Sequence, residues 1–420
     1  MSSGIRHVLY LAAHGGYEGQ PVPLGGGAAV AAMLAAQWRK TRPFTFEVLG
    51  PALLGAHAPP ARELLSFNER QYAAFCDAFR EAATQAVLRH NPRETAVLAN
   101  DIAEGPDFVR LARAGFHVGT LYHVDVVAYI AAIYLRGWVG APALARFWEA
   151  VRPAAARVAP RILRLIFEQQ RASLHCSARV VAPSSGMREL LLQGYAGIPP
   201  ERIEVLHWGA QAPPGVPGAR AALAAEYALP AGARVLVCLS RLSPEKGHDI
   251  LLEALREMEQ DGRLPQPAVL FICGEAAFMQ GAKYERRIRA LAARLRRTRV
   301  VFTGYVTGAR KQMFFEAADV YLFPSRHESY GLTLVEALAA GAPAVALDHA
   351  GARDILAAGR GVVVSADPRR TLRRRLGAAI VELLEDPDRR RAMSEAGRRW
   401  AAAHPFRDSA ARLAALLQTA

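Results

Sequence analysis

The sequence VYLFPSRHESYGLTLVEALAAGAP, residues 320–343, decides the fold. It opens with the apolar run Val320–Phe323, which lacks polar alternation, as is typical of a strand buried on both faces of a parallel sheet. A polar loop follows, and an apolar helical pattern then runs from about Leu332 to Ala340. A buried strand followed at once by a loop and a helix is the repeating unit of an open α/β sheet.

Two glutamates in this stretch, Glu328 in the loop and Glu336 in the helix, are separated by seven residues. The free N–H groups and the positive dipole end of the helix face the loop and favour an anion there. Carboxylates accept hydrogen bonds from hydroxyl groups. The pattern therefore fits a phosphate-bearing sugar nucleotide. The alternative is that Glu328 only caps the helix and that Glu336 is a solvated surface residue.

A second candidate segment, SRLSPEKG at residues 240–247, follows the apolar run Arg234–Leu239. Arg241 and Lys246 flank a predicted turn at the carboxyl end of that strand. Two cations placed there can hold a diphosphate and stabilise the charge that develops as it leaves. The chain uses Lys only four times among its 52 basic residues, which draws attention to Lys246.

Short apolar runs alternate with longer amphipathic ones in both halves of the chain. The predicted strands are His7–Ala13, Phe44–Leu49, Thr95–Ala99, Phe116–Tyr122, Ala178–Ala182, Ile203–His207, Arg234–Ser240, Ala268–Cys273, Val300–Gly304, Val320–Phe323, Pro343–Leu347 and Gly361–Val364. The clearest helical patterns between them are Ala61–Arg89, His248–Glu259, Tyr284–Arg296 and Arg369–Leu384. This alternation, present twice, predicts an α/β protein with two doubly wound domains. The Pro- and Gly-rich residues 209–218 between them are predicted to be a linker.

Several motifs in the second half, taken together and in order, resemble the GT-B glycosyltransferases, specifically the retaining glycosyltransferase family 4 group. Segment 241–247 resembles that family's donor-phosphate loop, and residues 301–306 resemble the segment whose backbone meets the nucleotide base. Residues 317–336 resemble the approach to the E-x7-E motif and the motif itself. Residues 350–355, 383–393 and 404–406 resemble the Gly loop, the late helix pair and the tail that crosses back to the first domain.

The resemblance implies two Rossmann-like domains that face a central cleft. Residues 1–208 would form the acceptor-side domain, 209–218 the linker and 219–403 the donor-side domain, with a C-terminal helix in 404–420 that returns to the first domain. In the first half, Gly25–Ala28 resembles the glycine loop that approaches the donor phosphates, and His123 resembles the family's histidine near the donor sugar. Asn100, Asp101 and Glu104 also follow a predicted strand and could line the acceptor side. The alternative for Gly25–Ala28 is a flexible loop, and the alternative for His123 is a structural histidine.

The resemblance also implies a role for each candidate residue. The catalytic candidates are Glu328, Arg241, Lys246 and His123. The donor-binding candidates are Gly26, Gly27, Val306, Ser329, Tyr330, Gly331 and Glu336. Two departures from the family pattern affect details: His207-Trp208-Gly209 stands where the family often has Pro-Asn-Gly, and Glu275-Ala276 stands where a second glycine is frequent. The first departure affects the hinge, and the second affects contacts on the donor side, so the donor sugar is not named from the sequence.

The composition sets outer limits on the function. The chain has 420 residues, is 52% hydrophobic and carries a net charge of +14, which is a globular composition and excludes disorder as the main state. Its Arg excess has two interpretations, a biased base composition or an anionic partner. The basic stretch 146–171, in which Arg157, Arg161 and Arg164 are predicted to share a helical face, could lie on anionic lipid. No motif with interleaved aromatics favours nucleic acid.

Metal, redox and membrane-spanning functions have little support in the sequence. The four cysteines show no C-x-x-C spacing, and their scatter favours reduced thiols in a cytoplasmic protein. The D-x-D sequence at Asp386 and Asp388 is interpreted as a turn and helix cap rather than a metal site. The apolar stretch Val126–Ala145 is predicted to be a buried strand end followed by a helix.

These observations predict a metal-independent retaining glycosyltransferase that needs no cofactor besides a nucleotide-diphosphate sugar and that acts on a hydroxyl acceptor. It would be cytoplasmic and could contact the inner face of the membrane through the basic helices of its first domain. Two alternatives stay open: a protein that binds a sugar nucleotide without transferring it, and a protein that binds polyanions or membrane surfaces with a vestigial cleft.

Overall fold

A computed structural model describes residues 5–15, 17, 25–64, 66–133, 138–211, 213–277 and 280–419. The chain forms two compact units: unit 1 comprises Met1–His207 and Arg407–Ala420, and unit 2 comprises Trp208–Phe406. Each unit has its own parallel sheet and its own hydrophobic core.

The strands in the described residues are β1 His7–Leu11, β2 Thr45–Leu49, β3 Thr95–Ala99, β4 His117–Leu121, β5 Arg179–Ala182, β6 Ile203–Val205, β7 Arg234–Leu239, β8 Ala268–Cys273, β9 Thr298–Gly304, β10 Val320–Phe323, β11 Ala344–Leu347 and β12 Gly361–Val364. The α-helices described are α1 Gly26–Thr41, α2 Ala61–Leu64, α3 Glu69–Val87, α4 Phe108–Arg113, α5 Val126–Ile133, α6 Ala141–Val158, α7 Arg161–Cys176, α8 Ser185–Gly194, α9 Ala219–Tyr227, α10 His248–Gln260, α11 Gly281–Ala292, α12 Gly308–Ala317, α13 Leu332–Ala340, α14 Ala350–Leu356, α15 Leu372–Glu385, α16 Pro387–Ala403 and α17 Phe406–Gln418.

The order of strands in each sheet places the ligand-binding edge. Unit 1 has the order β2-β1-β3-β4-β5-β6 and unit 2 the order β12-β11-β10-β7-β8-β9, with all strand pairs parallel. The order reverses between β1 and β3 in unit 1 and between β7 and β10 in unit 2. At such a reversal the loops that leave two neighbouring strands diverge and open a crevice at the carboxyl edge of the sheet, where open α/β sheets bind ligands.

The strands predicted from apolar runs are confirmed, each within about two residues of its predicted ends. β3, β8, β10 and β11 are buried along their whole length, which is why their sequences show no alternation. Three of the other predictions differ from the structure. The helical pattern 61–89 contains two helices, because Asn68 and Gln71 form a capping box that starts α3.

The stretch 126–145 is also different from the prediction. It contains α5 and the beginning of α6 rather than a strand end and one helix, and residues 134–137 between them, including Arg136, lie outside the described residues. Among the helices that the structure describes, none is both long and apolar enough to cross a membrane.

The predicted basic face of 157–164 is not formed either. Arg157 lies near the end of α6, Ala159 and Pro160 are extended, and Arg161 and Arg164 belong to α7. Proline at position 160 breaks the helix, because its ring prevents the residue before it from continuing the helical backbone. Arginines on two different helices therefore do not share one face.

The C-terminal helix α17 packs on unit 1. The indole N–H of Trp38, in α1, donates to the carbonyl of Ala410 at 3.1 Å. Leu413 and Leu417 are buried, and Leu417 lies against Gly119 in β4. The helix therefore completes the core of the first unit although it follows the second in sequence.

Candidate functional site

The strand reversal in unit 2 brings together the two segments that the sequence singled out. β7 ends at Leu239 and leads into residues 240–247, and β10 ends at Phe323 and leads into residues 324–331. Since β7 and β10 are neighbours in the sheet, with Val320 opposite Leu236, both loops leave the same edge side by side.

Contact between the loops depends on Gly247. This residue has φ +69°, and a Cβ built on it would lie 2.0 Å from the carbonyl oxygen of Pro324. A side chain would therefore meet main chain that cannot move away, and the backbone conformation itself disfavours any other residue. Gly247 lets Lys246 at the end of the first loop approach Glu328 in the second.

Lys246 and Glu328 form an ion pair with a hydrogen bond from Nζ to Oε2. The side chains are 11% and 21% exposed, so the pair is shielded but accessible from solvent. Burial acts to raise the pKa of Glu328, but the charge and hydrogen bond of Lys246, with smaller effects of His349 and His327, hold it below its ordinary value. Glu328 is therefore an ionised hydrogen-bond acceptor at neutral pH.

His349, at the start of α14, interacts electrostatically with Glu328 and Lys246. Its Nδ1 accepts a hydrogen bond from the main chain of Ala352 at 3.2 Å. Burial lowers its pKa to about 4, against the attraction of Glu328. The histidine is therefore neutral at physiological pH and leaves Lys246 as the counter-charge of Glu328.

Arg326, in the second loop, forms hydrogen bonds that connect the two loops. Its main-chain N–H donates to the carbonyl of Glu245 at 2.8 Å and its guanidinium donates to the carbonyl of Pro244 at 2.6 Å. The same guanidinium donates to Asp249, in the first turn of α10, at 2.8 Å. Burial acts to raise the pKa of Asp249, but Arg326 together with Tyr284 and Arg287 lowers it overall. The sequence reasoning missed this clamp, although both residues stand within three positions of a motif residue.

Arg241 lies in the same loop as Lys246. Its guanidinium is 3.8 Å from Oε1 of Glu245, whose carboxylate is buried and accepts a hydrogen bond from Ser243 at 2.5 Å. With its side chain 22% exposed, Arg241 presents a second positive charge at the loop. The predicted pair of cations is thus present on the first loop.

The residues that start α13 shape the rest of the second loop. Gly331 has φ +115°, and a Cβ there would lie 3.2 Å from the ring of Phe323. Ser329 and Tyr330 are buried. The hydroxyl of Tyr330 donates to the carbonyl of Trp208 at 2.7 Å, so its side chain anchors the loop, and a contribution of Tyr330 to a ligand would come from its main chain.

Glu336 projects from α13 and is paired with a residue that the sequence reasoning did not consider. Nζ of Lys311, in α12, donates to Oε1 of Glu336 at 2.6 Å. Glu336 also influences Tyr305, which follows β9: burial raises the pKa of the phenol, and the charges of Glu275 and Glu336 add to the rise. The side chain of the next residue, Val306, is buried, so this segment offers its backbone and Tyr305 rather than the Val306 side chain.

In unit 1 the predicted residues gather at the carboxyl edge of the first sheet. Asn100 follows β3, and its Oδ1 accepts hydrogen bonds from Tyr10 at 2.6 Å and from Nε2 of His123 at 2.9 Å. A Cβ at Gly27, in the first turn of α1, would lie 3.2 Å from the His123 ring. Burial lowers the pKa of His123 to about 4, although Asp101 opposes that shift.

An acidic group lies beside them. Nε2 of His14 is 3.3 Å from Glu104, and its Nδ1 is 3.9 Å from Asp101. The hydroxyl of Tyr72 donates to Glu104. Burial and the nearby Glu104 raise the pKa of Asp101, while His14 and His123 counteract the rise. His14 and Tyr72 escaped the sequence reasoning, because neither belongs to a motif.

The D-x-D sequence has the structural role predicted for it. Asp386 caps α16 by accepting a hydrogen bond from the main chain of Arg389 at 2.8 Å, and Asp388 pairs with Arg391. In the part of the chain that the structure describes, no three His, Cys, Asp or Glu side chains are grouped in a way that could hold a metal ion.

Solved structures with a similar fold align over almost the whole chain. Anabaena HepE in complex with UDP and glucose aligns over 99% of this chain and 100% of its own, with 18% identity and a TM-score of 0.68. Sucrose-phosphate synthase from Thermosynechococcus elongatus aligns over 99% of this chain and 98% of its own, with 18% identity and a TM-score of 0.73. The chain has the two-domain GT-B fold.

The family-model match lies within unit 2. Residues 220–400 match the model of the family described as glycosyl transferases group 1. D-inositol 3-phosphate glycosyltransferase of Thermobispora bispora is 31% identical over 60% of this chain and 58% of its own length. A GDP-mannose-dependent alpha-(1-6)-phosphatidylinositol monomannoside mannosyltransferase of Mycolicibacterium smegmatis is 36% identical over 49% of this chain and 55% of its own. The chain thus spans just over half the length of these curated relatives.

Proposed function

We propose that the protein transfers a sugar from a nucleoside-diphosphate-sugar donor to a hydroxyl acceptor, with retention of the anomeric configuration and without a metal ion. The observation that carries the proposal is the Lys246–Glu328 ion pair at the strand reversal of unit 2. It joins a cation suited to phosphate and a carboxylate suited to sugar hydroxyls at the edge where α/β sheets bind ligands. The named activities of the relatives, which include transfer from GDP-mannose, support the same reaction class.

Lys246 and Glu328 would each exchange the other for a part of the donor when the donor binds. A diphosphate carries more negative charge than one carboxylate and competes for Lys246, with Arg241 as its second cationic contact. Glu328 is then free to accept hydrogen bonds from hydroxyls of the donor sugar next to the reacting carbon. The bond from that carbon to the phosphate oxygen breaks, the acceptor oxygen bonds to the carbon on the same face, and the acceptor hydroxyl gives its proton to an oxygen of the departing diphosphate. Arg241 and Lys246 stabilise the departing diphosphate.

The nucleoside end of the donor is assigned to neighbouring residues of unit 2. Glu336 binds the ribose hydroxyls, and the main chain of residues 304–306 faces the base. The start of α13 with Ser329, Tyr330 and Gly331 supplies main-chain N–H groups to the phosphates. Each assignment concerns a segment that follows a strand of the unit 2 sheet, β9 or β10.

The test measures release of UDP from UDP-glucose and of GDP from GDP-mannose, with and without EDTA. We expect one donor to be turned over and EDTA to leave the rate unchanged. Lys246→Met and Glu328→Gln should each lower the rate by about 10²-fold or more, because each removes charge stabilisation at the reacting centre. Glu395→Gln, an exposed change in α16, is the matched control and should behave as wild type.

Three outcomes would count against the proposal. Unchanged turnover in both site variants would overturn the residue roles, and loss of activity in EDTA would overturn metal independence. Binding of a nucleotide sugar, seen as a rise in melting temperature, without any turnover would instead identify a binding protein. The anomeric proton coupling of the product in NMR distinguishes retention from inversion.

We also propose that α6 carries a peripheral membrane contact. Its solvent face is apolar at the helical spacing of residues 143, 147, 150, 154 and 158, and Phe147 and Val158 are 63% and 84% exposed. Arg157 lies on the same exposed side. An apolar stripe beside positive charge suits an anionic lipid surface. Part of the nearby charge is already neutralised, since Arg152 pairs with Glu168 and Arg171 with Glu149.

Vesicle co-sedimentation tests this contact. Phosphatidylglycerol vesicles should bind the protein in a salt-sensitive manner and phosphatidylcholine vesicles should bind it weakly. Phe147→Ser should reduce binding several-fold, whereas Val363→Ser, an exposed apolar change in unit 2, should not. Equal binding of the two variants would contradict a contact through α6.

A further inference from the structure

The two glutamates of the E-x7-E motif share a feature that the motif itself does not require. Each is paired with a lysine: Glu328 with Lys246 and Glu336 with Lys311. The chain has only four lysines, Lys40, Lys246, Lys283 and Lys311, against 48 arginines. Half of the lysines therefore lie on the two motif carboxylates, which points to a requirement at those positions for a compact ammonium rather than a planar guanidinium.

Geometry ties Lys311 to one oxygen of Glu336. The two residues project from the neighbouring helices α12 and α13, and Nζ lies 2.6 Å from Oε1. Their side chains are 26% and 28% exposed, so the pair is neither sealed in the core nor free in solvent. Within the described residues, Oε2 of Glu336 makes no hydrogen bond and stays available to a ligand.

A contribution to stability does not by itself account for the pair of Lys311 and Glu336. An exposed or half-exposed ion pair contributes little to stability, and any cation could supply that contribution. Positioning has a larger consequence, because a carboxylate held in one rotamer binds a ligand without the entropic cost of ordering it.

We infer that Lys311 is a positioning residue for nucleotide binding: it fixes Oε1 of Glu336 so that Oε2 accepts a hydrogen bond from a ribose hydroxyl. The inference rests on the proposed function, because it assigns the nucleoside end of the donor to Glu336. It goes further in naming a lysine that fixes the carboxylate and in predicting that discrimination between ribose and 2′-deoxyribose depends on it.

The experiment measures dissociation constants by calorimetry for UDP, GDP, their 2′-deoxy counterparts and inorganic pyrophosphate. For the nucleotide that wild type binds more tightly, we expect the ribose form to bind about tenfold better than the 2′-deoxy form, the size of one hydrogen bond to a charged group. Lys311→Met should reduce this ratio to about twofold, and Glu336→Gln should do the same. Pyrophosphate binding should stay within about twofold of wild type.

Two further variants separate positioning from structure. Lys311→Arg should restore part of the ribose preference, because it returns a cation, and Lys40→Met, an exposed change at the end of α1, should match wild type. Melting temperatures check that every variant is folded. The double variant Lys311→Met, Glu336→Gln should lose no more of the ratio than either single one, because both act on one hydrogen bond.

Different results would contradict the role of Lys311 and the proposed function. A wild-type ribose preference in Lys311→Met, together with its loss in Glu336→Gln, would overturn the inference and leave the proposed function intact. No ribose preference in wild type would remove the ribose role of Glu336 and the inference with it. Failure of wild type to bind any of the nucleotides would overturn the proposed function as well.

Discussion

At the scale of single residues, Gly247 shows how the site depends on the absence of a side chain. Gly247 has a positive φ, which disfavours any other residue, and a Cβ built on it would lie 2.0 Å from the carbonyl oxygen of Pro324. The sequence shows that a glycine follows Lys246, but only the structure shows that this glycine lets the second loop approach the first. The ion pair of Lys246 and Glu328 depends on this approach.

We predict that Gly247→Ala lowers the free energy of unfolding by about 3 kcal/mol or more, because strain of the backbone adds to a main-chain clash. Gly262→Ala is the matched control. Gly262 also has a positive φ, +67°, but a Cβ there meets nothing within 4 Å. It should cost only about 1 kcal/mol. Equal losses in urea titrations of the two variants would contradict the close approach of the loops.

His349 links the site to pH. Its pKa falls to about 4 on folding, mainly through burial, while Glu328 pulls it upward and His327 and Lys246 push it down. In the unfolded chain His349 has the ordinary histidine pKa near 6.5. Below that pH the unfolded state binds a proton at His349 that the native state does not bind. Stability is therefore lost as pH falls from about 6.5 towards 4.

We predict that His349→Asn makes the melting temperature less sensitive to acid. Asparagine keeps an acceptor for the N–H of Ala352 at the start of α14, but it does not titrate. Wild type should lose more of its melting temperature between pH 7 and 5 than this variant, although the buried His123 and His248 leave some dependence in both. His57→Asn, an exposed control, should follow wild type. An identical pH dependence of His349→Asn and wild type would contradict this assignment.

At the scale of elements, the buried strands were predictable and the helix boundaries less so. β8 and β10 are apolar throughout because both faces are covered, and this leaves a clear signal in the sequence. The break before α3 depends instead on two reciprocal hydrogen bonds of Asn68 and Gln71. The hydrophobic pattern continues across that break, so periodicity alone joins α2 and α3.

The C-terminal helix α17 offers a test at this scale. Leu413 is fully buried in unit 1, whereas Arg412 beside it is 60% exposed and 3.6 Å from Glu204. Leu413→Ala should cost about 2–5 kcal/mol and lower the calorimetric transition of unit 1 by several degrees. Arg412→Ala should change stability by no more than about 0.5 kcal/mol. An unshifted transition in Leu413→Ala would show that α17 does not support the first unit.

At the scale of the whole molecule, the positive charge of the chain divides among different roles. Several arginines serve the fold by donating to main-chain carbonyls, as Arg220 does to Ala317 and Arg390 does to Leu383. Others form ion pairs on the surface. Among the cations of the described residues, Arg241, Lys246 and Lys311 are assigned to the proposed donor site. The net charge of the chain therefore indicates little about the ligand.

The candidate site was predictable where residues follow one another and unpredictable where they meet through folding. Glu328, Glu336, Arg241 and Lys246 stand in compact motifs after strands, so sequence spacing identified them. Lys311 comes from a different helix and reaches Glu336 only because α12 packs beside α13. Contacts between elements distant in sequence leave no signature in a single chain.

The proposed donor site implies that a nucleoside diphosphate binds at the β7–β10 reversal of unit 2. Hydrogen–deuterium exchange with and without saturating UDP or GDP tests it most directly, because main-chain N–H groups at the two loops would become protected. We predict slower exchange in residues 240–247 and 326–336, and no change in the peptide covering β12. Protection confined to other segments, or no protection with either nucleotide, would contradict the claim.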